Sequence, residues 1–153
     1  MSLRVTKSFM RVLVLLTLFM LFGCGQAPLP AQSPGATNDP LNNTNWSLQS
    51  IYGRSPLKDA PITLQFSEGF AGGESGCNKY FGGDPTMNYT ISADGGLKIN
   101  FVRTARLCPS PQGVMEQEEA YFEALSSVAG YNLTEDRLEL KAENGDVVLV
   151  FTK

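Results

Sequence analysis

The sequence predicts an α+β domain, a curved antiparallel sheet or partial barrel of about seven to eight strands with one amphipathic helix. Three observations carry this expectation. Between residues 46 and 153, apolar and polar residues alternate in short runs bounded by turn residues, the two-residue period of half-buried strands. One segment, Pro111 to Val128, changes to helical spacing. With 42% apolar residues, 15 Gly and 9 Pro, the 153-residue chain can bury one core but has no room for two.

The chain opens with basic residues Arg4, Lys7 and Arg11 and an uninterrupted run from Val12 to Gly23, the pattern of a secretory signal over residues 1–23. That run is too short to cross a bilayer, which takes roughly 20 apolar residues. Leu21-Phe22-Gly23-Cys24 resembles the bacterial lipobox, with Phe22 standing where a small residue is usual. The resemblance implies cleavage before Cys24 and acylation of Cys24, so that the lipid bilayer is the first partner, held by acyl chains without a protein span. Gly25 after the cysteine implies the outer membrane of a bacterial cell envelope that has two membranes. The alternative is an ordinary signal cut elsewhere, with Cys24 discarded. Residues 1–23 hold three of the 12 basic groups and no acid, so the exported part has nine basic groups against 15 acidic, a net charge of −6. Nucleic acid and anionic headgroups both require a positive field, so no nucleic-acid partner is expected and attachment does not rest on charge.

Residues 24–45 follow as a tether. Pro28, Pro30, Pro34 and Pro40 lie among Ala, Gln, Ser, Thr and Asn with one charge at Asp39, a composition that builds no core. Partly in polyproline II at ~3 Å per residue, it could hold a domain several tens of ångströms from its anchor. Four Asn-x-Ser/Thr matches begin at Asn42, Asn45, Asn88 and Asn132. They would mean glycosylation only in a eukaryotic secretory pathway, against which the lipobox argues.

The domain is expected over residues 46–153. Trp46-Ser47-Leu48 begins the first strand, and Ile62, Leu64 and Phe66 alternate with Thr63 and Gln65 in the next. Leu97, Ile99 and Phe101 alternate with Lys98 and Asn100, and Leu138 and Leu140 with Arg137, Glu139 and Lys141. Val147 to Phe151 is apolar on both faces, which suits a central or covered strand. Asp94-Gly95-Gly96 and Asn144-Gly145 read as hairpin turns, so the pairing is antiparallel. In the helix, Val114, Tyr121, Leu125 and Val128 form a stripe flanked by Met115 and Phe122, opposite Glu116, Glu119 and Glu123. Ser110 is its expected N-cap, Pro111 its first residue and Gly130 its stop.

Histidine is absent, which excludes Ser-His-Asp and Cys-His hydrolases and His-based zinc sites. The segment from Gly72 to Gly83 is the densest in possible chemistry. A nucleophile elbow at Ser75 lacks its second glycine, where Cys77 stands, and a phosphate loop lacks Lys-Ser/Thr leading into a helix. A thiol nucleophile at Cys77, with Lys79 lowering its pKa, has no imidazole base. A glycine-rich turn between strands is the plainer expectation. With Cys24 given to lipid, Cys77 and Cys108 remain as an even pair in an exported domain, where a disulfide is the default. Closing a loop of about 32 residues would contribute roughly 3–4 kcal/mol. Two sulfurs are too few for structural zinc, and no metal or other cofactor is expected. Glu68 with Glu74 could face one cleft as glycosidase acids do, but these, and adjacent Glu118 and Glu119, read as solvated surface. Trp46, Tyr80, Phe81 and Tyr121 read as core, with a ligand groove as the alternative.

Six segments in order resemble the META domain of the heat-shock protein HslJ family: Asn45 to Leu48 with Ile51 and Gly53, Ile62 to Phe66, Ser75-Gly76-Cys77-Asn78-Lys79-Tyr80 with Gly82, Thr104 to Cys108, Glu118 to Leu125, and Leu138-Glu139-Leu140 with Gly145 to Phe151. The motif positions are Trp46, Gly76, Cys77, Asn78, Tyr80, Thr104 and Cys108. Leu107 stands where the family often has methionine or alanine, and Asp84-Pro85 interrupts the usual continuation. The resemblance implies a small envelope or secreted module without established catalytic residues, tied to stress or antibiotic tolerance, motility or secretion. The expected function is therefore a non-enzymatic, membrane-anchored envelope lipoprotein acting as a structural or binding module, with an envelope protein as possible partner. The family is often found beside lysozyme-inhibitor-like modules. The alternative is thus an inhibitor or binder of an external protein such as a lysozyme-type muramidase, meeting a basic enzyme with acidic loops.

Overall fold

The computed structural model describes residues 39–82 and 89–153. Among these described residues, ten strands and one helix follow in chain order: β1 (Thr44–Ile51), β2 (Thr63–Ser67), β3 (Phe70–Glu74), β4 (Lys79–Phe81), β5 (Thr90–Ile91), β6 (Leu97–Lys98), β7 (Val102–Arg103), α1 (Val114–Ser126), β8 (Val128–Leu133), β9 (Arg137–Ala142) and β10 (Val147–Thr152). Eight strands form one antiparallel sheet in the order β7-β4-β3-β2-β1-β10-β9-β8, and β5 with β6 makes a separate hairpin. The α+β expectation holds. The sheet curves without closing into a barrel.

Alternation along the strands sets which side chains face the core. Trp46 pairs with Leu64 and Leu48 with Phe151, and Phe151 in turn pairs with Leu138; all five are buried. β10 lies between β1 and β9, and Val148 through Phe151 are buried, as its apolar run predicts for a central strand. Helix α1 packs on β10 and β1 and buries Tyr121, Phe122, Ala124 and Leu125 in the main core, while Val114 packs in a smaller cluster with Ala60 and Cys77. The two expected hairpins form, with Gly95 N–H donating to the Ser92 carbonyl and Ala142 N–H to the Asp146 carbonyl.

Four local expectations need correction. Ser110 does not cap the helix and Pro111 is not its first residue. Gly113, left-handed at φ +87°, turns the chain into Val114 with no side-chain cap bond. The helix stops at Ser126, well before Gly130. Ser127 N–H bonds the Glu123 and Ala124 carbonyls and its hydroxyl bonds the Ala124 carbonyl, so Val128 enters the core from a strand instead. The run from Leu97 to Phe101 keeps its alternation, yet only Leu97 and Lys98 are strand; the rest crosses from the β5–β6 hairpin to the edge of β4. Finally, the domain takes in residues 39–45, which composition assigns to the tether. Leu41 is fully buried, and Asp39 accepts a hydrogen bond from Leu41 N–H at 2.9 Å and another from the Tyr89 hydroxyl.

Gly72 and Gly73 are likewise strand residues within β3, and the turn itself spans only Ser75 to Asn78. Their lack of a side chain is a packing requirement. A Cβ on Gly73 would lie 2.1 Å from the Thr63 carbonyl oxygen, and one on Gly72 2.7 Å from that of Tyr80. Only glycine lets β2, β3 and β4 close up at this point.

Candidate functional site

The turn Ser75-Gly76-Cys77-Asn78 carries β3 into β4, and its polar groups converge on the helix. Ser75, Asn78 and Glu118 are buried, at 0%, 3% and 3% exposure. Glu118 Oε1 accepts Asn78 N–H at 2.8 Å and lies 2.5 Å from Ser75 Oγ, while Oε2 accepts Asn78 Nδ2 at 2.7 Å. A carboxylate with these donors around it is compensated for its loss of water.

Asn78 also reaches the segment that ends in the second cysteine. Its Oδ1 accepts from Thr104 Oγ1 and from Arg106 N–H, each at 2.7 Å, and its Nδ2 donates to the Arg106 carbonyl at 3.1 Å. The Arg106 guanidinium turns back and donates to the Cys77 carbonyl at 2.7 Å. Cys77 and Cys108 are joined as a disulfide, sulfurs 2.09 Å apart and Cα atoms 5.9 Å apart. Gln117, beside Glu118, accepts Leu57 N–H at 2.5 Å and donates to the Ala60 carbonyl at 2.9 Å. Thus one helical turn holds the Ser-Gly-Cys-Asn motif through Glu118 and the segment from Leu57 to Ala60 through Gln117.

Under the turn lies an aromatic cluster. The Tyr80 hydroxyl donates to the Thr63 carbonyl at 2.7 Å and stands 2.6 Å from that of Tyr121, which must then be the donor between them. Burial is the main reason both phenols titrate above the ordinary tyrosine range. Phe101 stacks on Phe122, and the Arg103 guanidinium sits 4.6 Å from the Phe122 ring centre while donating to Glu119 at 2.9 Å.

Of the motif residues, Gly76, Cys77, Asn78, Tyr80, Thr104 and Cys108 come together here. Trp46 does not; it is core on β1, its indole N–H donating to Thr44 Oγ1 at 2.8 Å. Cys24 lies outside the described residues. A Cys77 thiolate activated by Lys79 is ruled out by the arrangement, since the sulfur is in the disulfide and Lys79 Nζ is 2.9 Å from Glu74. Glu68 lies in the turn before β3 and Glu74 at the far end of that strand, both exposed, so they do not share a cleft. Trp46, Tyr80 and Tyr121 are core, while Phe81 is 51% exposed.

Glu118 corrects the expectation of solvated surface. Its signal was present in the spacing: positions 114, 118, 121 and 125 form one helical stripe, so the carboxylate falls among Val114, Tyr121 and Leu125. A charge in that register asks for buried donors, which Ser75 and Asn78 supply.

Fold and site together define a small α+β domain built around a cystine-braced turn that is locked to its single helix. The chain belongs to the META domain family, whose model matches residues 39–153. Two solved structures are similar to it. One, determined by NMR, is 25% identical, with a TM-score of 0.55 over 73% of this chain and 90% of that one. The other, a crystal structure of a DUF4847 family protein from Bacteroides vulgatus, is 14% identical with a TM-score of 0.53 over 73% and 93%, and shares the fold. No curated protein matches the chain.

Proposed function

We propose that this protein is a membrane-anchored envelope lipoprotein whose META domain is a non-catalytic structural or binding module serving the envelope under stress, including antibiotic stress. The observation that carries the reading is the spending of the motif's buried polar groups on one another. Ser75, Asn78 and Glu118 bond internally, and both motif sulfurs are in the disulfide. A catalytic site keeps reactive groups open to a substrate, whereas these groups hold the turn rigid.

The anchor rests on Leu21-Phe22-Gly23-Cys24 and the Pro-rich stretch behind it. Metabolic labelling with a fatty-acid probe tests it: the full chain should label and fractionate with membranes, and Cys24→Ala should abolish both. If purified protein turned over a panel of esters, peptides or glycosides, and lost that activity with Glu118→Gln, the non-catalytic reading would fall. Exposed acids at Glu135, Asp136, Glu143 and Asp146 favour a second reading, an inhibitor of a basic muramidase. Lysozyme assayed with excess protein at low and high salt decides it; unaltered activity at both sinks it.

A further inference from the structure

Among the described residues Leu107 is the most exposed of the large apolar side chains, at 88%, yet the backbone on either side of it is held. Upstream, Asn78 bonds both the N–H and the carbonyl of Arg106, at 2.7 and 3.1 Å. Downstream, Cys108 is covalently bound to Cys77. The two supports, Cys77 and Asn78, are neighbours on one buried turn. Arg106 spends its guanidinium on the Cys77 carbonyl, so Leu107 is the residue the loop presents. The chain enters the loop through edge strand β7, where exposed Val102 pairs with exposed Phe81. An exposed leucine on a mobile loop would call for no explanation. One whose backbone is already ordered on folding loses little further entropy on entering a pocket of another protein.

Resting on the binding-module reading, we propose that the loop Arg106-Leu107-Cys108 docks in the cleft of serine proteinases whose primary pocket takes a large apolar side chain. Leu107 fills that pocket, and the Leu107–Cys108 bond lies at the proteinase's serine. The serine oxygen adds to the Leu107 carbonyl carbon; the serine proton passes to the Cys108 nitrogen, which leaves as an amine. A water molecule would then release the acyl group as the Leu107 carboxylate. Here the amine cannot diffuse away, because Cys108 stays bonded to Cys77 while Arg106 stays on Asn78. Its return to the acyl carbon, re-forming the peptide bond and freeing the serine, competes with hydrolysis at high effective concentration. The loop therefore inhibits rather than being consumed.

The test uses the full chain in detergent, disulfide intact, titrated into chymotrypsin and subtilisin acting on a chromogenic peptide. Inhibition is expected, and mass analysis after reduction should show cleavage after Leu107 reaching a plateau short of completion. Leu107→Asp, a change on an exposed side chain, should weaken inhibition by about thirtyfold or more, and Leu107→Lys should transfer it to trypsin. Asn78→Ala should turn the loop into a substrate cleaved to completion; if that variant does not fold, the two Leu107 variants carry the test. No inhibition of either enzyme, rapid complete cleavage of the unaltered chain, or inhibition indifferent to Leu107→Asp overturns the proposal. The chain incubated alone with the chromogenic peptide separates this failure from that of the non-catalytic reading, which only turnover without added proteinase would overturn.

Discussion

At residue 118 a carboxylate occupies a helical position that packing reserves for an apolar side chain. Its stability contribution is inseparable from that of its partners. Glu118→Ala leaves Asn78 N–H and Nδ2–H without their acceptor in a buried site, and is expected to cost about 2–4 kcal/mol. Glu118→Gln keeps one acceptor and should cost less. Denaturant titration of the two variants measures the difference, and equal, near-zero losses would mean that the turn does not depend on the helix. Tyr80 and Tyr121 make a second prediction. Both phenols are pushed upward, chiefly by burial, so the folded protein keeps protons that the unfolded chain releases above about pH 10. The two phenols' contribution should therefore be constant below that pH and fall above it, by up to about 1.4 kcal/mol per pH unit for each phenol. The part of the tyrosinate absorbance that Tyr80→Phe and Tyr121→Phe remove should appear with unfolding and not before it.

Among elements, the β3–β4 turn and the loop after β7 are held to each other by both a disulfide and an asparagine side chain. Removing the disulfide with a Cys77→Ala, Cys108→Ala pair should lower stability by roughly 3–4 kcal/mol, from the loop-closure entropy returned to the unfolded chain. The hydrogen bonds of Asn78 should keep the loop in place in whatever fraction stays folded. Amide exchange at Arg106 tests this; exchange as fast as in an unstructured peptide would show that the disulfide alone holds the loop. Element types were largely legible in the sequence because side-chain alternation survives wherever one face is buried, as along Ile62 to Phe66 and Arg137 to Lys141. Boundaries were less so. Leu97 to Phe101 alternates like a strand but has a ladder partner only at its start, and pairing is a property of the neighbouring chain, which local pattern does not contain. Gly72 and Gly73 read as a turn by composition and are strand by contact, because only the positions of Tyr80 and Thr63 show that a side chain has no space there.

For the whole molecule, the fold begins before its first strand. Leu41 is fully buried, Asp39 is held by Tyr89, and Thr44 Oγ1 bridges the Leu41 carbonyl to the Trp46 indole at 2.5 and 2.8 Å. A chain beginning at Trp46 should thus be less stable than one beginning at Gly35 by about 2–5 kcal/mol, the cost of deleting one fully buried leucine and leaving its surroundings open. Thermal or denaturant midpoints of the two chains settle it; equal midpoints would place residues 39–45 outside the fold. By itself the sequence determined the α+β class, the single helix, the central place of β10, the likeness to the META domain and the pairing of Cys77 with Cys108, because periodicity, turn residues and cysteine number are local or countable. Only the tertiary structure decided that Ser75 and Asn78 meet Glu118, that Asn78 grips Arg106 and that Leu107 projects from a rigid loop. Each of these depends on which distant segments meet, and a hydrogen bond between residues 40 apart such as Asn78 and Glu118 leaves no mark on the residues between them.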